Sequence, residues 1–456
     1  MRLFPNRCLR SIPSMLLGLP LSAAVAATPS SSVEQSAAPS AALSATSSAS
    51  WVVSWQASPQ RVWESGFLFP TNLPATIQGQ TIRQIARLSV GGHRARIVLS
   101  NAFGREPVFV GKTTLARVAP DGAALSDPPR QVTFGGKEAV LIPPGASWLS
   151  DAVEVPLRSL TQVAVSLYLP RPTHVETFHW DGRQTAWIAP GDQAAAISLT
   201  PANGPLLATT ARPLLAGIQV DSDRPAQAVV VLGDSITDGA TASVDRDTRW
   251  PDFLARRLCA RGVAVANAGI SGARLLSDGM GTNALARLDR DVLAQPGVRS
   301  VIVMLGINDI AWPGTAFARQ ARTPTLDELS DGYRQLVARS HARGVRVVAA
   351  TLTPFAGALP GTPLEDYFND HKDALRERVN DWIRHSGVFD AVVDFDAVLR
   401  DVDHPTRLAP AYDSGDHLHP GNEGNKAMAD AVDLDMLLPT IGNDRAAASC
   451  PILSGR

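Results

Sequence analysis

Residues 228–233 read AVVVLG, an apolar run closed by glycine. A strand with one wet face alternates apolar and polar residues. A strand apolar at every position is buried on both faces, which is the situation inside a parallel sheet covered by helices on each side. This run then stops on Gly233-Asp234-Ser235, a small polar residue between glycines (GDSITDG, 233–239). A phosphate cradle, an ordinary turn and an esterase nucleophile all fit that ending.

The rest of the C-terminal half keeps the same rhythm. RWPDFLARRLCARG places Trp250, Phe253, Leu254 and Leu258 at helical spacing, with Pro251 in the first turn. VAVANAG, SVIVMLG, VRVVAATLTP and FDAVVDFDAVL follow as four further strands. Between them LDELSDGYRQLVARSHARG and residues 366–386 read as helices, and NEGNKAMADAVDLDML reads as the last helix. Alternating β and α segments predict a parallel sheet with helices on both faces, with chemistry beyond the carboxyl ends of its strands. Three such ends carry polar or glycine-rich residues: 233–235, 267–272 and 306–309.

Upstream the pattern differs. TQVAVSLYLP alternates, putting Val163, Val165, Leu167 and Leu169 on one face. Short apolar runs are punctuated by Gly91-Gly92, Asn101, Gly104, Gly135-Gly136 and Pro143-Pro144-Gly145. This predicts an antiparallel β-sandwich over residues 51–221, ahead of the α/β domain at 222–445 and a tail at 446–456. Residues 28–50, Ser/Ala-rich, read as a linker that cannot bury enough apolar surface to fold. Arg2, Arg7 and Arg10 precede an apolar segment ending Ala24-Val25-Ala26. That is the pattern of a secretory signal (1–26) cleaved near Ala26, giving a secreted or periplasmic protein. The segment is too short and too proline-interrupted to span a membrane. With Cys8 removed, Cys259 and Cys450 either pair across an oxidising compartment or remain as two thiols. The net charge is −1 with no long basic run, which argues against nucleic acid and anionic membrane as partners.

A phosphate loop needs a longer glycine loop with Lys, or Gly-x-Gly-x-x-Gly, and neither follows Val231. The α/β-hydrolase elbow Gly-x-Ser-x-Gly is also missing around Ser235. A serine hydroxyl needs a base to take its proton, and the base needs an orienting group. YDSGDHLHPGNEG supplies both: Asp416 and His419 stand three residues apart in a Gly/Pro-bounded loop. The oxyanion formed on attack needs fixed donors. The Ser235 N–H, a glycine N–H in NAGISG and the Asn308 side-chain amide are the candidates.

GDSITDG, NAGISG, GIND and DHLHP stand in the order of the four sequence blocks of the GDSL-type esterases, the SGNH hydrolases, and residues 228–437 resemble that family. The resemblance implies a three-layer α/β/α sandwich with a five-stranded parallel sheet and no metal or other cofactor. It assigns Ser235 as nucleophile, His419 as base, Asp416 as its orienting carboxylate, and Gly272 and Asn308 as oxyanion donors beside the Ser235 N–H. Gly269 is the alternative to Gly272. The N-terminal half, through SWQASPQ and LSNAFG, resembles the β region of a secreted bacterial subgroup.

Each residue also has a plainer reading. Asp234 looks like an acid, but hydrogen bonds to nearby backbone that hold the turn account for it, and Asp309 is expected to cap the turn that follows it rather than react. His417 is the competing base; Asp-x-x-His spacing favours His419 and leaves His417 solvated or lining the substrate. Asp413, Asp416, His417 and His419 offer metal-ligand chemistry, but no second ligand cluster stands elsewhere in the chain. Trp51, Trp55, Trp63 and Phe178-His179-Trp180 fit a sugar platform less well than a core or domain interface. The expected substrate is a small-molecule or polysaccharide ester, with short-chain or O-acetyl esters of extracellular carbohydrate first. A lipase or lysophospholipase, and a non-catalytic carbohydrate-binding protein, are the competing functions. Oligomeric state is not legible.

Overall fold

The computed structural model describes residues 50–119, 124–201, 204–222, 227–438 and 450. The segments expected to be a secretory signal (1–26) and a linker, up to residue 49, and the C-terminal tail apart from Cys450 lie outside the described residues.

The first half is antiparallel β structure. Its main strands are β1 (Ser50–Gln56), β2 (Gln80–Arg87), β3 (Gly92–Ser100), β4 (Lys112–Arg117), β5 (Arg130–Val132), β6 (Ser147–Leu149), β7 (Val153–Leu157), β8 (Gln162–Leu169), β9 (Ala186–Pro190), β10 (Leu207–Thr209) and β11 (Leu215–Ser222). One sheet runs β1-β11-β3-β6, with β7 also on β3; the other runs β10-β9-β2-β8-β4-β5. Ile97, Leu99, Ile218 and Val220 from the first and Ile82, Val163, Val165 and Leu167 from the second belong to one apolar core. The alternation read in β8 is the cause: Val163, Val165, Leu167 and Leu169 are fully buried, while Ala164 joins Ile85 and Ala116 in a separate cluster. Each such side chain stabilises the fold by about 1.5–3 kcal/mol relative to exposure.

The second half is a five-stranded parallel sheet ordered β13-β12-β14-β15-β16, from β12 (Ala228–Gly233), β13 (Ala264–Gly269), β14 (Val298–Met304), β15 (Arg346–Ala350) and β16 (Ala391–Val393). Val229 and Val231 of β12 pack with Trp250, Leu254 and Leu258 of α2 (Trp250–Cys259). Val230 and Leu232 lie in the core that includes Leu336, Val379 and Ile383. Those belong to two helices on the opposite face, spanning Leu326–His341 and Asp370–His385. A run apolar at every position is thus required, because alternate residues meet different helix layers.

Two helix ends differ from the sequence reading. The helix expected from residue 366 begins at Asp370, where the Asn369 side chain caps it by accepting from Lys372 N. The last helix breaks after Ala431, and Asp433 caps a separate turn at Leu434–Leu437. In both cases a short polar side chain takes up orphan helix donors and so sets the start.

The described residues, from Ser50 onward, belong to one compact unit. Val53 N donates to Pro296 O (3.0 Å), Val265 N to Ser89 Oγ (3.0 Å) and Gln56 Nε2 to Asp291 O (2.9 Å), so buried polar groups cross between the halves. No described helix is long and apolar enough to cross a membrane. Cys259, fully buried on α2, is joined to Cys450 across 191 residues of sequence. Closing so long a loop stabilises by on the order of 3–5 kcal/mol through the unfolded state. The denatured, unreduced chain from residue 50 onward should titrate no thiol, and two after reduction; two thiols before reduction would exclude the bridge.

Candidate active site

Gly233 at the end of β12 is in register with Gly269 of β13 and Met304 of β14. The three loops that follow therefore leave the sheet side by side, at the point where strand order reverses. Ser235 opens the short helix α1 (Ser235–Asp238), capped by the Asp234 side chain through Ile236 N (3.0 Å). The glycines are steric requirements. A Cβ on Gly233 would meet Thr237 Oγ1 at 2.1 Å, and one on Gly239, at φ +99°, would meet the Arg249 side chain.

His419 Nε2 lies 2.8 Å from Ser235 Oγ, and His419 Nδ1 lies 2.6 Å from Asp416 Oδ2. A carboxylate only accepts, so Nδ1 carries the proton and Nε2 is left to accept from the serine hydroxyl. Asp416 Oδ1 also accepts from the backbone N–H of His419 (2.8 Å) and Leu418 (3.0 Å). Burial by itself would raise the Asp416 carboxyl, but the hydrogen bond and charge of His419, with these two amides, outweigh it and hold the group well below the usual carboxylate range. His417 pairs with Asp413 instead (Nδ1–Oδ2 2.5 Å) and is half exposed at φ +62°. Its plainer reading, as a solvated side chain, fits this position.

The donor side is equally constrained. Asn308 Oδ1 accepts from Trp312 Nε1 (2.8 Å) and Tyr367 Oη (2.7 Å), which turns Nδ2 the other way. One Nδ2 proton goes to Ala273 O (3.0 Å), leaving the second free. Burial, aided by the charges of Asp234, Asp309 and Asp416, raises the Tyr367 hydroxyl far above its ordinary value, so it stays a donor. Gly272 sits at φ +70°, and a Cβ there would come within 2.6 Å of Met280 Sδ and 2.8 Å of Trp312. The Gly269 N–H is consumed by Asn267 Oδ1 (2.8 Å). Among the described residues no acceptor is recorded for the N–H of Gly272 or of Ser235. Gly272, not Gly269, therefore has a donor to offer.

Sequence reasoning missed several supports. Asp309 does not cap its own turn; its carboxylate reaches back to Leu275 N (2.7 Å) and Leu276 N (2.9 Å). Fully buried Arg287 binds Ala268 O (2.6 Å) and Gly233 O (3.1 Å), tying the ends of β13 and β12. Trp312 stands four residues after Asn308, a helical spacing that a reader could have used; Tyr367 and Arg287 carry no such signal. Trp55, Phe178 and His179 are buried, while Trp63 and Trp180 are only partly buried and pack with Phe67 and Phe69. Among the described residues no group of three or more His, Cys, Asp or Glu is arranged to hold a metal ion.

Burial pushes the Asp234 carboxyl up to about 7, against the Ile236 N–H and the nearby His419. Its Oδ2 is buried with no hydrogen-bond partner. A raised acid favours the folded state fully below its unfolded value near 4, and that advantage is lost as pH rises through about 7. Asp234→Asn keeps an acceptor for the cap and cannot ionise. Its thermal midpoint relative to the parent should climb between pH 4 and 7; a constant difference would contradict a protonated Asp234.

A family model for the GDSL-like lipase/acylhydrolases matches residues 229–432. No relative among curated proteins matches the chain. Similar solved structures include a lipolytic protein of the G-D-S-L family from Desulfitobacterium hafniense DCB-2 (22% identity, 45% of this chain, 97% of that chain, TM-score 0.33). The native aryl esterase of M. smegmatis is another (20% identity, 45% and 96% covered, TM-score 0.36). A third is a catalytic mutant of an acetylxylan esterase from Geobacillus stearothermophilus (24% identity, 46% and 94% covered, TM-score 0.34). Residues 229–432, a little under half of the chain, thus match the domain of the GDSL-like lipase/acylhydrolases, a family of carboxylic ester hydrolases.

Proposed function

We propose that the chain is a secreted serine esterase acting by acyl transfer, with short-chain or O-acetyl esters of extracellular carbohydrate as its substrates. The observation that carries this is the unbroken chain Asp416–His419–Ser235, at 2.6 and 2.8 Å, beside open N–H donors of Gly272, Ser235 and Asn308. In this reading Ser235 Oγ attacks the ester carbonyl while His419 Nε2 takes its proton. The carbonyl oxygen becomes an oxyanion held by the three donors; losing one such donor typically costs about 3–4 kcal/mol of barrier. His419 returns the proton to the leaving alcohol, giving the acyl-enzyme. His419 then takes a proton from water as the water oxygen attacks the acyl carbonyl; the bond to Ser235 Oγ breaks, His419 returns the proton to Oγ, and the acid leaves. Asp416 fixes the ring tautomer and stabilises the imidazolium.

Small acyl groups are favoured by the closeness of Met280 and Trp312 around Gly272. Secretion is favoured by the basic-apolar N-terminus ending at Ala26 and by the Cys259–Cys450 bridge, which suits an oxidising compartment. Residues 222–445 carry the chemistry in this reading, and 51–221 form the β domain that precedes it.

A serine-directed phosphonate should label Ser235 stoichiometrically, with labelling lost in Ser235→Ala. The same protein should release acetate from acetylated glycans faster than fatty acid from long-chain esters. The opposite preference would indicate a lipase or lysophospholipase. Glycan binding without labelling would indicate a non-catalytic binding protein. His419→Ala should lower kcat at least about 1,000-fold, and His417→Ala less than about tenfold, in the acetate-release assay; the reverse order would move the base to His417.

A further inference from the structure

His179 belongs to the β half, yet its ring reaches the GDSITDG loop. It is 3% exposed and its backbone pairs with Arg212 in both directions (3.0 and 2.8 Å). Nδ1 lies 3.1 Å from Ser58 O, and Nε2 lies 2.9 Å from Asp238 Oδ1. A backbone carbonyl and a carboxylate are both acceptors only. Each contact needs a proton from the ring, so the geometry calls for an imidazolium in a site closed to water. The other carboxylate oxygen, Asp238 Oδ2, accepts from Ser271 N (3.0 Å) and Ser271 Oγ (2.9 Å). Ser271 shares its peptide bond with the Gly272 N–H. One continuous hydrogen-bonded path thus runs from the Ser58 carbonyl through His179 and Asp238 to the residue that carries an oxyanion donor.

The neighbouring stretch makes the same connection at other points. Gln60, fully buried, donates to Met280 O (2.9 Å) and accepts from Trp180 N (2.9 Å). Met280 is the side chain packed against Gly272. Gln56 and Pro59 O meet Asp291 O and Arg290. SWQASPQ, which carries no reactive group of its own, therefore brackets the loop from Gly272 to Asp291.

We propose that His179 is a positioning residue for ester hydrolysis: paired with Asp238, it holds Ser271 so that the Gly272 N–H points at the developing oxyanion. The β half is then part of the catalytic scaffold. The proposal rests on the reading of Ser235 as nucleophile and Gly272 as donor. Its pH behaviour follows from the groups around it. Burial lowers the His179 value, the charge and hydrogen bond of Asp238 raise it, Arg249 lowers it, and the net direction is upward from 6.5. Arg249 and Arg287 are the cations that also face Asp238. A raised histidine keeps its pairing at low pH and loses it as pH rises through the folded value. Turnover should fall on the alkaline side for that reason.

The test uses the full chain and 4-nitrophenyl acetate, with thermal midpoints recorded for every variant. His179→Ala should lower kcat about ten- to a hundredfold, less than outright loss of an oxyanion donor because the Gly272 N–H remains but is misaimed, with KM within about twofold. Phosphonate labelling of Ser235 should slow in parallel. Asp238→Asn is the conservative partner. Its carboxamide oxygen can accept from Ser271 while its NH2 donates to Nε2 of a neutral ring, so kcat should stay within about fivefold of the parent and the alkaline fall should vanish. Asp238→Ala should resemble His179→Ala. A folded His179→Ala with parental kcat and pH profile overturns the proposal, as does an Asp238→Asn that keeps the alkaline fall. If His179→Ala does not fold, the pH profile of Asp238→Asn decides alone. Failure of Ser235 labelling in the parent would instead bring down the catalytic reading itself.

Discussion

The register of three parallel strands is the constraint on which the rest of this protein depends. Gly233, Gly269 and Met304 stand level across β12, β13 and β14. Ser235, Gly272 and Asn308 lie two, three and four residues beyond those points. A slip of one residue would flip each strand's side chains to the other helix layer and withdraw the loop it feeds. Register is specified here because Val229 and Val231 face one helix layer while Val230 and Leu232 face the other. Apolar burial on both faces thereby becomes placement of polar atoms at the sheet's edge. His419 reaches the same edge from a loop 184 residues further on.

Placement alone leaves amides and carboxylates free to turn, and buried polar partners remove that freedom. Trp312 and Tyr367 fix which end of the Asn308 amide is the donor. Arg287 joins the Gly233 carbonyl that ends β12 to the Ala268 carbonyl near the end of β13, and Asp309 grips the backbone of the loop after Gly272. Buried charges of this kind cost several kcal/mol each to desolvate, and only complete pairing offsets it. They contribute geometric definition more than stability. The β half takes part in this network through His179, Gln56 and Gln60, so the two halves are not independent bodies joined by a linker.

Legibility in the sequence followed the range of the interaction. β12 was readable from end to end, Ala228–Gly233, because a continuous apolar run admits few alternatives. The alternation in β8 was readable for the same reason. Helix starts were less so: Asp366 and Asp370 look alike as first-turn acids, and Asn369 decides between them by a local cap. The resemblance puts Gly272 ahead of Gly269 but gives no physical reason; in the fold the difference is that Asn267 occupies the N–H of Gly269. The cap expected of Asp309 for its own turn does not form, because its partners lie 34 and 33 residues back. Cys259 and Cys450 were balanced between bridge and free thiols, because no local pattern encodes a distance across 191 residues.

What the sequence determined by itself was the class of fold and the inventory of chemistry. Periodicity is local and survives in the linear chain, and so do the residue types that can attack, accept a proton or hold an anion. What only the tertiary structure decided was which of these groups face one another. Ser235 meets His419 rather than His417, Gly272 rather than Gly269 keeps an open N–H, and His179 finds Asp238. Each of those outcomes turns on a distance of about 3 Å between residues far apart in the chain, within the span where a hydrogen bond forms or fails. Spacing favours His419 over His417, but no composition, spacing or charge pattern carries the distances themselves, because they come into being only when the strands set their register and the two halves close on each other.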